Sequence, residues 1–130
     1  MELLERDTLI NIDSQAFGLC SKLKLSVLPK NLEKVGTGAF NVCPNVTVSE
    51  FGTQNSAPKL ATLMYSCFNN NGTAISSVTI GYPGKTPKII VQNDAFYNYG
   101  DKSTKITIYV ESVNGTPDAF GFNGSQIDQI

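Results

Sequence analysis

Five times in this chain a small residue stands directly before phenylalanine: Ala16-Phe17, Ala39-Phe40, Cys67-Phe68, Ala95-Phe96 and Ala119-Phe120. The pairs recur every 23–28 residues, and their surroundings recur with them. Five residues before the Phe stand Ile12, Val35, Leu63 and Val91, with Gly115 as the exception. Eight before it stand Leu9, Leu32 and Leu60, while the fourth copy has Lys88 with Ile89 alongside. Three after it stand Cys20, Cys43, Asn71, Tyr99 and Asn123. Five aligned units sharing several columns do not arise from random composition. A unit this short cannot bury its own apolar face, so neighbouring units must stack into one continuous core. The pattern predicts a repeat solenoid whose Phe rings form an internal column, with the small residue before each letting adjacent coils approach.

Beyond each Phe turn the chain enters a β-branched, alternating run: Leu23-Lys24-Leu25, Val46-Thr47-Val48, Val78-Thr79-Ile80 and Ile106-Thr107-Ile108. Period-two alternation of this kind reads as a strand with one face buried. Phe68, Asn71, Ile75 and Val78 match Phe120, Asn123, Ile127 and Ile130 position for position, which predicts that the chain stops inside its last strand. Each unit is then one strand, a turn, a short apolar step and a Phe-bearing bend.

The best copies are Leu9-Ile10-Asn11-Ile12-Asp13-Ser14-Gln15-Ala16-Phe17-Gly18-Leu19-Cys20 and Leu32-Glu33-Lys34-Val35-Gly36-Thr37-Gly38-Ala39-Phe40-Asn41-Val42-Cys43. This unit, continued by a strand ending in Leu28-Pro29, resembles the BspA-type bacterial surface leucine-rich repeat over residues 9–130. Later copies depart from it, with Asn71, Tyr99 and Asn123 in place of the cysteine and long connections at Gly52–Lys59 and Tyr82–Lys88. The resemblance implies a right-handed leucine-rich-repeat-like superhelix of about five coils, mostly short β-strands with short helical or irregular steps. The whole of 1–130 then forms one domain. In such repeats the turn column faces inward, where Asn satisfies backbone groups and Cys fills space. That makes Asn71 and Asn123 structural. The family implies a cell-surface or secreted protein with an adhesive or ligand-binding role and no shared enzymatic activity.

Composition removes other classes. Ten basic and eleven acidic residues leave a net charge of −1, without the basic footprint of a nucleic-acid binder. Charged residues at 16% and hydrophobic ones at 41% argue against disorder. There is no histidine, hence no Ser-His or Cys-His catalytic pair and no commonest metal ligand. Nothing points to a cofactor or a metal. No stretch reaches the ~20 apolar residues of a membrane helix, so no membrane insertion is expected. The start, Met1-Glu2-Leu3-Leu4-Glu5-Arg6-Asp7, is no secretory leader: either the chain is cytoplasmic or a leader has been removed. Cys20, Cys43 and Cys67 cannot all pair within one chain, lack CxxC spacing, and read as buried small hydrophobes.

Among polar residues, Asp94 and Asp118 hold the same repeat position. They read as caps of short helical turns rather than as the paired carboxylates of a glycosidase. Four glycosylation-type triplets begin at Asn45, Asn71, Asn114 and Asn123 and read as turns. What remains is the exposed face of the strand ladder, with Ser77, Thr79, Lys105, Thr107 and Tyr109 as the candidate ligand-binding residues. On simple alternation Lys24, Ser26, Thr47 and Ser49 join it, although Leu28 and Phe51 leave the register of the first two repeats open. Tyr82 and Tyr97 lie on connections, while Tyr99, in the inward column, is expected to be buried. The expected function is non-catalytic recognition of a protein or glycan on a host or neighbouring cell. The rival is a structural spacer or assembly segment with no ligand; a hydrolase is a distant third. A strand cut short at Ile130 leaves two accounts of the open end: a fragment of a longer repeat array, or end-to-end stacking as a homo-oligomer.

Overall fold

The structure is a computed structural model that describes residues 8–69 and 75–122, together with the backbone of Gln126–Gln129. Every coil after the first contributes strands to two parallel ladders rather than one. The first joins β1 (Asn11–Ile12), β2 (Lys34–Val35), β4 (Thr62–Leu63), β6 (Ile89–Val91) and β8 (Val113–Asn114) in that order. The second joins β3 (Glu50–Phe51), β5 (Ser77–Ile80), β7 (Lys105–Ile108) and β9 (Gln126–Gln129). Strands pair with the equivalent strand of the next coil, as stacked repeats require. The short apolar step of the sequence pattern is therefore itself a strand. Two residues suffice there, because Ile12, Val35, Leu63 and Val91 need only drop one side chain each into the core.

The Phe turns form a third set of rungs. The N–H groups of Gln15, Phe17 and Leu19 donate to the carbonyls of Thr37, Ala39 and Asn41 at 2.9, 2.8 and 2.8 Å. Alternate N–H groups can all aim at the next coil only if the chain flips its handedness between them. In the first four turns it does so at fixed places two residues from the Phe: Gln15 (φ 59) and Leu19 (61), Gly38 (64) and Val42 (55), Ser66 (54), Asp94 (58) and Asn98 (55). A left-handed conformation costs an L-residue roughly 1–2 kcal/mol, and each rung returns about 0.5–1.5 kcal/mol net. Asp94 is thus no cap, since a cap residue has extended backbone. Asp118 lies inside a short 3-10 turn, Pro117–Ala119, whose cap position is Thr116.

The Phe column is real but ends differently from the pattern. Rings stack from Phe17 to Phe40 at 5.4 Å, Phe40 to Phe68 at 5.0 Å and Phe68 to Phe96 at 5.9 Å. The next ring on Phe96 is Phe122, at 4.7 Å, in place of Phe120. The rung differs there as well: Phe96 N–H donates to the carbonyl of Phe120, where earlier coils use the small residue before the Phe, so Phe120 no longer holds the ring position. The last strand also sits elsewhere. Ile127, not Ile130, stands opposite Ile106, so the final connection is shorter than in the third coil and β9 completes four residues. The predicted strands of the first two repeats shrink to a single bridge, Leu25 to Val46. The second coil instead pairs with the third through Glu50–Phe51, because Phe51 turns inward against Phe68, Phe96 and Tyr99.

Both long connections reach back to the preceding coil. Thr53 and Ser56 close a tight turn on each other, and the Leu28 N–H donates to Ser56 Oγ at 2.9 Å. In the connection after β5, Lys85 is 3% exposed, and its Cε lies 3.1 Å from where a Cβ on Gly52 would stand. Burial holds the Lys85 amine below the ordinary lysine value, and its Nζ donates to the Pro87 carbonyl at 3.1 Å.

Close approach between coils explains one glycine. A Cβ on Gly36 would sit 2.6 Å from Ser14 N and 2.8 Å from the Asp13 carbonyl carbon, both backbone of the first coil. Gly36→Ala is expected to cost about 1–3 kcal/mol, read as a lower urea midpoint with an unchanged slope. An unchanged midpoint would mean that the first two coils are not in this contact.

Candidate functional site

The four-stranded ladder carries the candidate face. Along β5 and β7 burial alternates as expected: Val78, Ile80, Ile106 and Ile108 are buried, Ser77 and Lys105 exposed, Thr79 and Thr107 half-buried. Pairing sets these residues in rows across the coils. Ser77 stands opposite Lys105, and Lys105 opposite Gln126. Glu50, Thr79, Thr107 and Asp128 form the next row, with a carboxylate residue at each end of a threonine pair. Rows repeat at about 4.8 Å, the spacing of adjacent strands. The Ser77, Thr79 and Thr107 hydroxyls, the Lys105 amine and the Glu50 carboxylate therefore share a surface whose reverse side is the core. Simple strand alternation missed Glu50, since β3 lies farther along the chain than the run Val46–Val48 suggested.

Tyr109 lies off the strand. It is half-buried, it holds the Ile80 carbonyl through its N–H at 3.1 Å, and it precedes the 3-10 turn Val110–Ser112. It therefore borders the rows instead of standing in them. Tyr99 is fully buried as expected, its hydroxyl donating to the Val48 carbonyl at 2.6 Å. Tyr97 is exposed and Tyr82 half-buried. Asn71 and Asn123 lie outside the described residues. Asn45 is in a turn, its amide donating to the Ser21 carbonyl at 2.7 Å, whereas Asn114 closes β8 and is not a turn residue.

Lys24, Ser26 and Thr47 are exposed, and Ser49 is half-buried. The first three adjoin shallow depressions: one of about 410 Å³ involves Lys24, Ser26, Lys30 and Asn55, and another of about 250 Å³ involves Lys24, Ser26, Asn45 and Thr47. These two concavities thus flank the first coil, beside the rows and not on them. From sequence Asn45 was read only as a turn residue and Asn55 was not singled out, because neither alternates with a buried strand residue.

Among the described residues one carboxylate stands out electrostatically, and its partners are local. Asp101 is held below the usual carboxylate range, first by the Ser103 hydroxyl and then by the Ser103 and Thr104 backbone and the Thr104 hydroxyl within its own turn. Of the cysteines, Cys43 and Cys67 are buried and Cys20 is half-buried. Among the described residues no cluster of three His, Cys, Asp or Glu side chains could hold a metal, and no helix is long and apolar enough to cross a membrane.

Comparison with known proteins bears on this arrangement directly. The BspA type leucine rich repeat region matches residues 3–126 in six copies. No curated protein and no solved structure matches the chain. Leucine-rich repeats generally mediate protein binding, and proteins of this type are typically non-enzymatic and generally associated with bacterial surfaces or secretion. A match over nearly the full length agrees with the stacked coils, the Phe column and the paired parallel ladders, and the chain belongs to the BspA-type leucine-rich repeat family.

Proposed function

We propose that this chain is a non-catalytic binding module, displayed at a cell surface or secreted, that recognises a protein or glycan on a host or neighbouring cell through its four-stranded sheet. The observation that carries the reading is the in-register polar face: Ser77 and Lys105 in one row, Thr79 and Thr107 in the next, with Tyr109 at the border. A rigid ladder presents these groups at fixed spacing, so a partner can be recognised without ordering a loop on binding. Tyr109 offers flat contact area with few rotatable bonds, the usual character of an anchor residue.

The test is binding of the purified chain to immobilised matrix proteins and surface glycans. Lys105→Ala and Tyr109→Ala are each expected to weaken a saturable signal about tenfold, roughly 1.4 kcal/mol, with melting unchanged. Silence across the panel with an intact circular-dichroism spectrum would overturn the reading and favour the structural spacer. A signal that survives both substitutions would move the site to the depressions around Lys24 and Asn45.

A further inference from the structure

We propose that Cys20 and Cys43 are a disulfide-forming pair that staples the first coil to the second on exposure to a small-molecule disulfide. The two occupy one column, three residues after Phe17 and Phe40. Those rings stack nearly parallel, at 9°, and the rungs Phe17–Ala39 and Leu19–Asn41 hold the two turns over each other. Neighbouring coils are spaced about 4.8 Å apart, within the roughly 4.4–6.8 Å that a disulfide spans between Cα atoms.

Two groups of the pair converge on one atom. The Phe17 carbonyl oxygen accepts the Cys43 thiol at 2.8 Å and the Cys20 N–H at 3.3 Å, which places the Cys43 sulfur beside the Cys20 backbone. Electrostatics carry the same proximity: burial pushes the Cys43 thiol up, the Cys20 backbone N–H pulls it partly back, and negative charge on Cys20 raises it further. Both thiols are free in the structure. Access is asymmetric. Cys20 is half-buried and lines an open depression of about 600 Å³ with Ser21 and Lys22, whereas Cys43 is 0% exposed. Cys67 belongs to a different column, directly before Phe68, and is also 0% exposed.

The chemistry proceeds in two exchanges. The Cys20 thiolate attacks the incoming disulfide, expels one small thiolate and remains as a mixed disulfide. Cys43 then loses its proton and attacks the Cys20 sulfur, and the second small thiolate leaves. Two protein thiols are oxidised and one small disulfide is reduced to two thiols. Since burial keeps the Cys43 thiol protonated, the second exchange is the slow one and accelerates as pH rises.

The experiment incubates the full chain with oxidised glutathione at neutral and mildly alkaline pH, counts free thiols and maps the unreduced peptides. The expected result is a fall from three free thiols to one, a Cys20–Cys43 link within one chain, and a transient glutathione adduct at Cys20 that decays faster at higher pH. Cys67→Ser should leave the link intact, and Cys43→Ser should stop at the adduct. A persistent adduct on the unsubstituted chain with Cys43 still reduced at alkaline pH would overturn the proposal. So would a link that includes Cys67 or joins two chains. The unsubstituted chain decides the matter even if Cys43→Ser fails to fold.

Discussion

Phe68→Ala is expected to remove about 3–5 kcal/mol of stability, a large share of the ~5–15 kcal/mol that holds a typical domain together. The ring is 1% exposed and touches four others: Phe40 and Phe96 in the stack, Phe51 and Tyr99 edge-on. Truncation therefore leaves a hole bounded by side chains of the two neighbouring coils, neither of which can close it without moving its own backbone rung. The check is urea denaturation followed by circular dichroism. Phe17→Ala, at the same repeat position with one stacked partner and partial exposure, should cost much less. Equal losses at the two sites would mean that the column is not a graded stack and that the central aromatic cluster is wrongly placed.

Tyr99→Phe is expected to cost about 1–3 kcal/mol, because the Val48 carbonyl loses the hydroxyl 2.6 Å away and stays buried without it. The same residue governs behaviour in alkali. Burial, and then negative charge at Cys67, push the Tyr99 phenol above its usual value of 10.0, and burial pushes the Cys67 thiol above 9.0. Both groups stay protonated in the fold while the unfolded chain releases their protons. Stability is then fully present below about pH 9 and falls as pH rises, by roughly 1.4 kcal/mol per pH unit for each group beyond its unfolded value. Lys85 acts in the opposite sense. Its lowered value means that the fold gains as pH rises toward 10.5, where the unfolded amine also loses its proton. Urea midpoints measured from neutral to strongly alkaline pH should fall less steeply for Tyr99→Phe than for the unsubstituted chain above pH 10. Parallel curves would refute the buried phenol.

The repeat, the inward facing of the turn column at Cys43 and Tyr99 and the alternation at Ser77–Ile80 and Lys105–Ile108 were all legible in the sequence. Each rests on a side-chain type recurring at a fixed distance from a Phe. Three features were not legible, for one shared reason. The two-residue strands such as Lys34–Val35 are too short for alternation to register, and only pairing with the next coil makes them strands. The left-handed positions hold Gln15, Leu19, Val42, Ser66, Asp94 and Asn98, a set with no common chemistry, because neighbouring rungs rather than residue preference impose the conformation. The last coil's register follows the ladder, so Ile127 is chosen over the better-matching Ile130. As for the candidate face, Ser77, Thr79, Lys105 and Thr107 fell where alternation put them. Glu50 did not, since Phe51 redirected its strand.

The back-reaching connections give the molecule a mechanical direction. Ser56, on the loop after the second coil's strand, grips Leu28 of the first, and Lys85, on the loop after the third, lies over Gly52 of the second. The coils overlap like roof tiles laid one way. A pull that peels coils starting from the high-numbered side must lift each loop off the coil beneath it while the ladder rungs still hold. Peeling from the low-numbered side withdraws a coil from under its neighbour's loop and leaves that loop in place. Force applied along the stack therefore meets unequal resistance from its two ends, although every rung is of the same kind.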